Sequence, residues 1–172
     1  MITKSLILAL AGVGLLSAEA PDIKLLSGAT RIQYNQIKTL LLKTAEKMPE
    51  ENYSFKPTAD VRSFGEIIGH VADSEGYFCS VISGQENPVA DAEKLKSKAE
   101  LTAALKKSFD FCDKAFDGLT DKSEMEVIKV GQNERTRGAI ANFSLMHNWE
   151  HYGNLVTYMR LKGVVPPSSE KK

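Results

Sequence analysis

Two stretches of the chain, Ser63-Phe64-Gly65-Glu66 and Ser97-Lys98-Ala99-Glu100, carry the same helix-start signal. In each, the serine hydroxyl accepts from the amide three residues on, and the glutamate reaches back to the serine amide, so two otherwise unpaired donors are met. Downstream of each signal, apolar residues repeat at helical spacing. After Ser63 the stripe is Phe64, Ile67, Ile68, Val71, Phe78 and Ile82, stopped by Gly84 and Asn87-Pro88. After Ser97 it is Leu101, Leu105, Ser108, Cys112, Ala115 and Leu119, widened by Phe109 and Phe116, with Gly118 at the C-terminal glycine position. Residues 22–48 step the same way through Ile23, Leu26, Thr30, Tyr34, Ile37, Leu41, Ala45 and Met48, between an Asp22 cap and Pro49. Residues 136–161 present Ile140, Ser144, His147, His151, Asn154 and Tyr158 on one face, flanked by Leu145, Trp149, Tyr152, Val156 and Met159, up to Gly163. Four such helices predict an all-α four-helix bundle. The pattern alone leaves the handedness of the connections open.

The connections are read as loops. Residues 50–62 have no period and contain Lys56-Pro57-Thr58, and residues 84–97 are polar. Residues 124–137, with Met125, Val127 and Val130, alone have strand character; they read as a small hairpin or as an ordered loop. Residues 1–20 read as a secretory signal peptide: Lys4 is the positive start, residues 5–16 are a short apolar run, and Ala18-Glu19-Ala20 is a cleavage site, with Pro21 after it. The run is too short for a stable membrane span. The expectation is therefore an exported protein with one domain at residues 21–165 and a flexible tail at 166–172. At 172 residues, 42% of them hydrophobic, the chain can bury a core without staples. Lys+Arg and Asp+Glu balance at 22 each, which removes the basic footprint of a nucleic-acid binder.

The chemistry concentrates in the histidines, of which there are 3. His147 and His151 are four residues apart on a helix, so both imidazoles point from one face, one turn apart. His70 lies at the edge of the stripe that begins after Ser63. If those two helices pack together, all three imidazoles converge, a ligand set that with water suits zinc, and also nickel or iron(II). A metal there lowers the pKa of bound water and can ionise a thiol. The pattern is not His-Glu-x-x-His, because Glu150 immediately precedes His151, so the metalloprotease arrangement is not met. Asp73, Glu150 and Asn154, each within a turn of a histidine, are the candidate partners for the rings' second nitrogens. No catalytic residue is assigned. Cys79 and Cys112 read first as small buried hydrophobes, with a disulfide as the alternative in an exported chain. Arg62, Arg135 and Arg137 read first as solvated loop charges, with binding of an anionic substrate near the bundle mouth as the alternative; Trp149 reads as packing or interface, and the lysine-rich residues 94–107 as a solvated face.

Two long motifs resemble the DinB family (DinB/YfiT-like metalloenzymes). One is residues 55–73, where Ser63-Phe64-Gly65-Glu66 leads into Gly69-His70-Val71-Ala72-Asp73. The other is residues 147–167, opening His147-Asn148-Trp149-Glu150-His151-Tyr152-Gly153-Asn154. The resemblance covers nearly all of the chain after the signal peptide. It implies an up-down-down-up bundle, often a homodimer, with a divalent metal, usually zinc or nickel, held by His70, His147 and His151 and completed by water. It does not imply a reaction: some relatives are thiol-dependent transferases or isomerases, and many have no assigned activity. Two functions stay open. One is a metal-dependent transferase or hydrolase acting on a small molecule, and the other is a non-catalytic bundle in which a metal pins two helices.

Overall fold

A computed structural model describes residues 25–171. The predicted signal peptide and the Asp22 cap lie outside them. The described chain is mostly helical: α1 (Leu26–Lys47), α2 (Phe64–Ser83), α3 (Lys98–Asp117), a one-turn α4 (Asp121–Glu124), the strands β1 (Val127–Val130) and β2 (Asn133–Thr136), and α5 (Arg137–Leu161). Short 3-10 turns lie at Glu50–Asn52, Ala92–Lys94 and Pro167–Ser169. No helix among the described residues is long and apolar enough to cross a membrane.

The local start signals act as expected. Ser63 Oγ accepts from Glu66 N at 3.2 Å while Glu66 Oε2 accepts from Ser63 N at 2.7 Å. The box at Ser97 and Glu100 is likewise complete. Thr136 caps α5 by accepting from Ala139 N, and Gly84 and Gly163 turn the chain at φ 72° after α2 and α5. The hairpin alternative holds for residues 124–137: β1 and β2 pair antiparallel, with Gly131 at φ 60° opening the two-residue turn.

The start of α1 differs from the sequence expectation. Leu26 is 63% exposed, and Ser27 is buried in its place. The reason is a cap from far along the chain: the Asp121 carboxylate accepts from Leu25 N, Ser27 N and Ser27 Oγ, each within 2.9 Å. The stripe is then buried from Tyr34 through Ile37, Leu41 and Ala45 to Met48. At the other end of α1, Lys98 Nζ donates to the carbonyls of Glu46 and Met48.

α2 packs against α3 and α5, and α1 packs against the same two helices. One core fills the space between them, including Phe64, Ile68, Leu105, Phe109, Leu155 and Met159. Tyr34 stacks on Phe116 with ring centroids 4.0 Å apart. The closing segment is corrected from a flexible tail. Pro167 is buried, Ser168 N donates to Tyr152 Oη, and Glu170 pairs with Lys47.

Two features mark the core, the first of them the alternative already open for the cysteines. Cys79 and Cys112, read first as buried hydrophobes, form a disulfide between α2 and α3 with Cα atoms 5.3 Å apart. Beside it, Glu75 is buried at 0% exposure. Ser144 Oγ and Asn148 Nδ2 of α5 both donate to Glu75 Oε2 at 2.8 Å. The other carboxylate oxygen lies 4.0 Å from Cys79 Sγ. Burial pushes the Glu75 carboxyl up to about 7, while the Asn148 and Ser144 hydrogen bonds pull the other way.

This core has two measurable consequences. The disulfide closes a loop across a sequence separation of 33, so the Cys79→Ala, Cys112→Ala double variant should lose about 3–4 kcal/mol by chain entropy. Equilibrium urea unfolding measures it; an unchanged midpoint contradicts the cross-link. For Glu75, a carboxyl raised in the fold gives stability that is complete below its unfolded pKa and lost as pH rises through about 7. Glu75→Gln should therefore gain on the natural chain by up to about 3 kcal/mol between pH 5 and pH 8. The difference between the two proteins is the quantity to follow, because His147 and His151, held neutral by the fold, titrate with the opposite sign. A difference that is flat with pH contradicts a buried, ionisable Glu75.

Candidate metal centre

His70 stands on the second turn of α2, and His147 and His151 on successive turns of α5. The contact between these two helices brings the three rings together. His70 Nε2 and His151 Nε2 each lie 3.1 Å from His147 Nε2. The ring centroids of His70 and His151 are 4.8 Å apart. All three nitrogens thus face one point. An ion bound by imidazoles at the usual zinc distance, in a tetrahedral shell, spaces its nitrogens by roughly 3.3 Å, close to what the side chains already adopt. His151 is buried, while His70 and His147 are partly exposed.

The tautomers decide what can occupy that point. His70 Nδ1 donates to Glu93 Oε1 at 2.5 Å, and in the neutral ring that places the lone pair on His70 Nε2. Burial, then the facing histidines, push His147 down to about 4. Burial, then His70 and Arg62, do the same to His151. Both rings are therefore neutral near pH 7. Neutral His147 can put at most one proton at Nε2, against two facing nitrogens, one of which is already bare. No assignment of protons gives each short contact its own donor and acceptor without disturbing Glu93. A divalent cation satisfies all three lone pairs at once.

Glu93 was missed by the sequence reading, and its placement explains why. It sits in the 3-10 turn Ala92–Lys94, well beyond the end of α2. Asp73, expected to touch a histidine, acts one step further out: its carboxylate accepts from Ala92 N at 2.8 Å and Glu93 N at 3.0 Å. Gly69 permits the approach, since a Cβ there would lie 2.7 Å from Ala92 O. The other two expected partners are corrected. Glu150 and Asn154 are exposed on α5, and neither makes a side-chain hydrogen bond to a histidine. His147 Nδ1 and His151 Nδ1 are buried with no hydrogen-bond partner among the described residues.

Of the arginines, Arg62 lies near the site, with Nη2 3.8 Å from Glu93 Oε1. Tyr158 Oη holds the Arg62 carbonyl at 2.9 Å. Arg137 is committed elsewhere, to the Ile82 carbonyl and to Glu126. Trp149 meets Tyr152 edge to face, in keeping with a packing role. Glu75, Cys79 and Cys112 are a second close group of ligand-type side chains, but the disulfide takes both sulfurs.

The sequence profile described as the DinB superfamily matches residues 33–155. The Bacillus subtilis protein YjoA, described as uncharacterized, is 25% identical over 123 residues, 69% of this chain and 79% of its own. The crystal structure of that DinB-like protein superposes with a TM-score of 0.67 at 21% identity, covering 84% of this chain and 99% of the other. A DinB-like protein from Bacillus cereus gives a TM-score of 0.72 at 13% identity, over 81% and 95% of the two chains. The mycothiol-dependent maleylpyruvate isomerase gives 0.61 at 12% identity, over 75% of this chain and 60% of that one. With the profile spanning well over half its length, the chain belongs to the DinB superfamily.

Proposed function

We propose that this protein is an exported metal-dependent enzyme of small-molecule chemistry, with a divalent ion held by His70, His147 and His151. The observation that carries the reading is the convergence of three Nε2 atoms, with His70 held bare by Glu93. An ion there would supply a Lewis acid and a water or thiol of lowered pKa. Zinc and nickel are the first candidates for this donor set, and iron(II) the third. No fourth histidine, cysteine or carboxylate joins the three among the described residues, which supports an open position over a sealed structural site. The chain's own contributions are clear in outline. Glu93 fixes the His70 ring, Asp73 fixes Glu93, and the low pKa values of His147 and His151 keep their lone pairs available.

The reaction class we favour is thiol-dependent transfer, with hydrolysis as the alternative. The fold likeness to an isomerase named for its thiol dependence supports the first. The architecture we favour is a four-helix bundle with up-down-down-up connectivity. Lys98 meeting the end of α1 supports α1 and α3 antiparallel. The disulfide between the later parts of α2 and α3 supports those two parallel, and Glu75 bonded to Ser144 and Asn148 supports α5 beside α2. The disulfide also supports export, because such bonds persist in oxidising compartments. A homodimer is part of the same reading.

One preparation tests these points together. The purified protein should carry close to one divalent ion per chain by elemental analysis. His70→Ala, His147→Ala and His151→Ala should each lose it. Glu93→Ala should keep the site but weaken metal affinity about 10–100-fold in a chelator competition. Intact mass reports the cleavage near Ala20, and sedimentation reports the dimer. Metal content unchanged in the three histidine variants, or absent from the natural chain after reloading, contradicts the assignment.

A further inference from the structure

A cavity between α2, α5 and the hairpin adjoins the three histidines through Phe78. Moving away from them, Phe78 and then Val81 line the α2 side, and Phe143 and then Ile140 line the α5 side. From His147 back to Ile140 is about 10 Å of helix rise. The hairpin closes the far end with Asn133 and Arg135, and the cavity so formed holds about 210 Å³. Phe78 joins the two regions. Its ring meets His147 edge to face with centroids 5.5 Å apart, and meets Phe143 at the same distance.

The lining has a definite chemistry. The walls are aromatic and aliphatic, and Phe143 keeps half its surface in solvent. The polar groups gather at the hairpin end, an amide from Asn133 and a guanidinium from Arg135. Arg135 Nη1 bonds only the adjacent Glu134 carbonyl, at 2.7 Å, and it pairs with no carboxylate among the described residues. It differs in this from Arg62 and Arg137, which both face glutamates. A cavity of this size, below the usual range for drug-sized ligands, admits one ring and a short chain but not a nucleotide or a peptide.

We propose that this groove binds the substrate of the three-histidine centre, and that the substrate is a small aryl or branched-alkyl anion. Its apolar body lies against the paired rings of Phe78 and Phe143, its anionic group lies at Arg135, and its opposite end points toward His147. The assignment rests on the metal-enzyme reading for its function but not for its binding, so the two can fail separately.

The test is calorimetric binding of phenylacetate, 4-phenylbutyrate and benzenesulfonate to the full chain, with 4-phenylbutanamide as the neutral control. It is run on metal-free protein, where an anion cannot gain by ligating an ion, and repeated with zinc. At least one anion should bind the metal-free chain. Arg135→Gln should weaken that anion about tenfold and leave the amide unchanged. Phe143→Ala, at a half-exposed ring whose loss the fold tolerates, should weaken both. Arg62→Gln should change neither. The proposal is overturned if no member of the panel binds, if Arg135→Gln binds as well as the natural chain, or if Arg62→Gln carries the loss instead. It is also overturned if self-association buries Phe143 and the probes bind only on dilution to monomer. Zinc content of the same variants is the independent reading: groove binding without zinc removes the metal centre alone, and zinc without groove binding removes this proposal alone.

Discussion

A carboxylate buried in an apolar core must find donors or give up its charge, and Glu75 finds two donors on α5. That requirement sets how α5 can turn against α2. Ser144 and Asn148 are one turn apart, and each must point at the same carboxylate oxygen. With those two positions committed inward, the helical period puts His147 and His151 on the adjoining strip, facing His70. One turn further along α2, the disulfide at Cys79 clamps the helix to α3. The buried polar group thus does for orientation what a purely apolar stripe does poorly, since apolar side chains tolerate a rotated neighbour far better than a hydrogen bond does.

The outer side of the site is held by a second chain of contacts, from loop to helix. Asp73 on α2 binds the amides of the 3-10 turn, the turn presents Glu93, and Glu93 orients His70. Gly69 lets the turn come this close. The two arrangements differ in exposure. Glu75 is sealed, whereas the Glu93 side chain is 45% exposed, so the outer arm can exchange with solvent while the inner one cannot. A site supported rigidly from inside and more loosely from outside is compatible with ligand exchange at a partly exposed His70.

The features legible in the sequence are those that depend on near neighbours. The capping boxes at Ser63 and Ser97 span four residues each, and the His147–His151 spacing is one turn of one helix, so the local pattern reveals both. The convergence of His70 with that pair required only that two helices with complementary stripes pack together. Contacts that cross loops were not legible. Glu93 is 23 residues from His70, and Asp121 is 94 from the Ser27 amide it caps. Choosing ring partners by nearness in sequence also selected Glu150 and Asn154, which are both exposed on α5. Glu75 had a visible signal, a carboxylate in the run Ile68, Ala72, Glu75, Cys79, Ile82 at steps of four and three, but the sequence could not say which helix would supply its donors. The same limit applied to Cys79 and Cys112, whose pairing depends on the distance between two helices.

The central claim is that three imidazoles, and no other protein group, form the coordination shell. X-ray absorption at the metal edge of the loaded protein tests it most directly. The account predicts three nitrogen scatterers near 2.0–2.1 Å with the outer-shell signature of imidazole, plus oxygen from water. A shell containing sulfur, or oxygen scatterers without imidazole, would contradict it and move the metal away from the α2–α5 face.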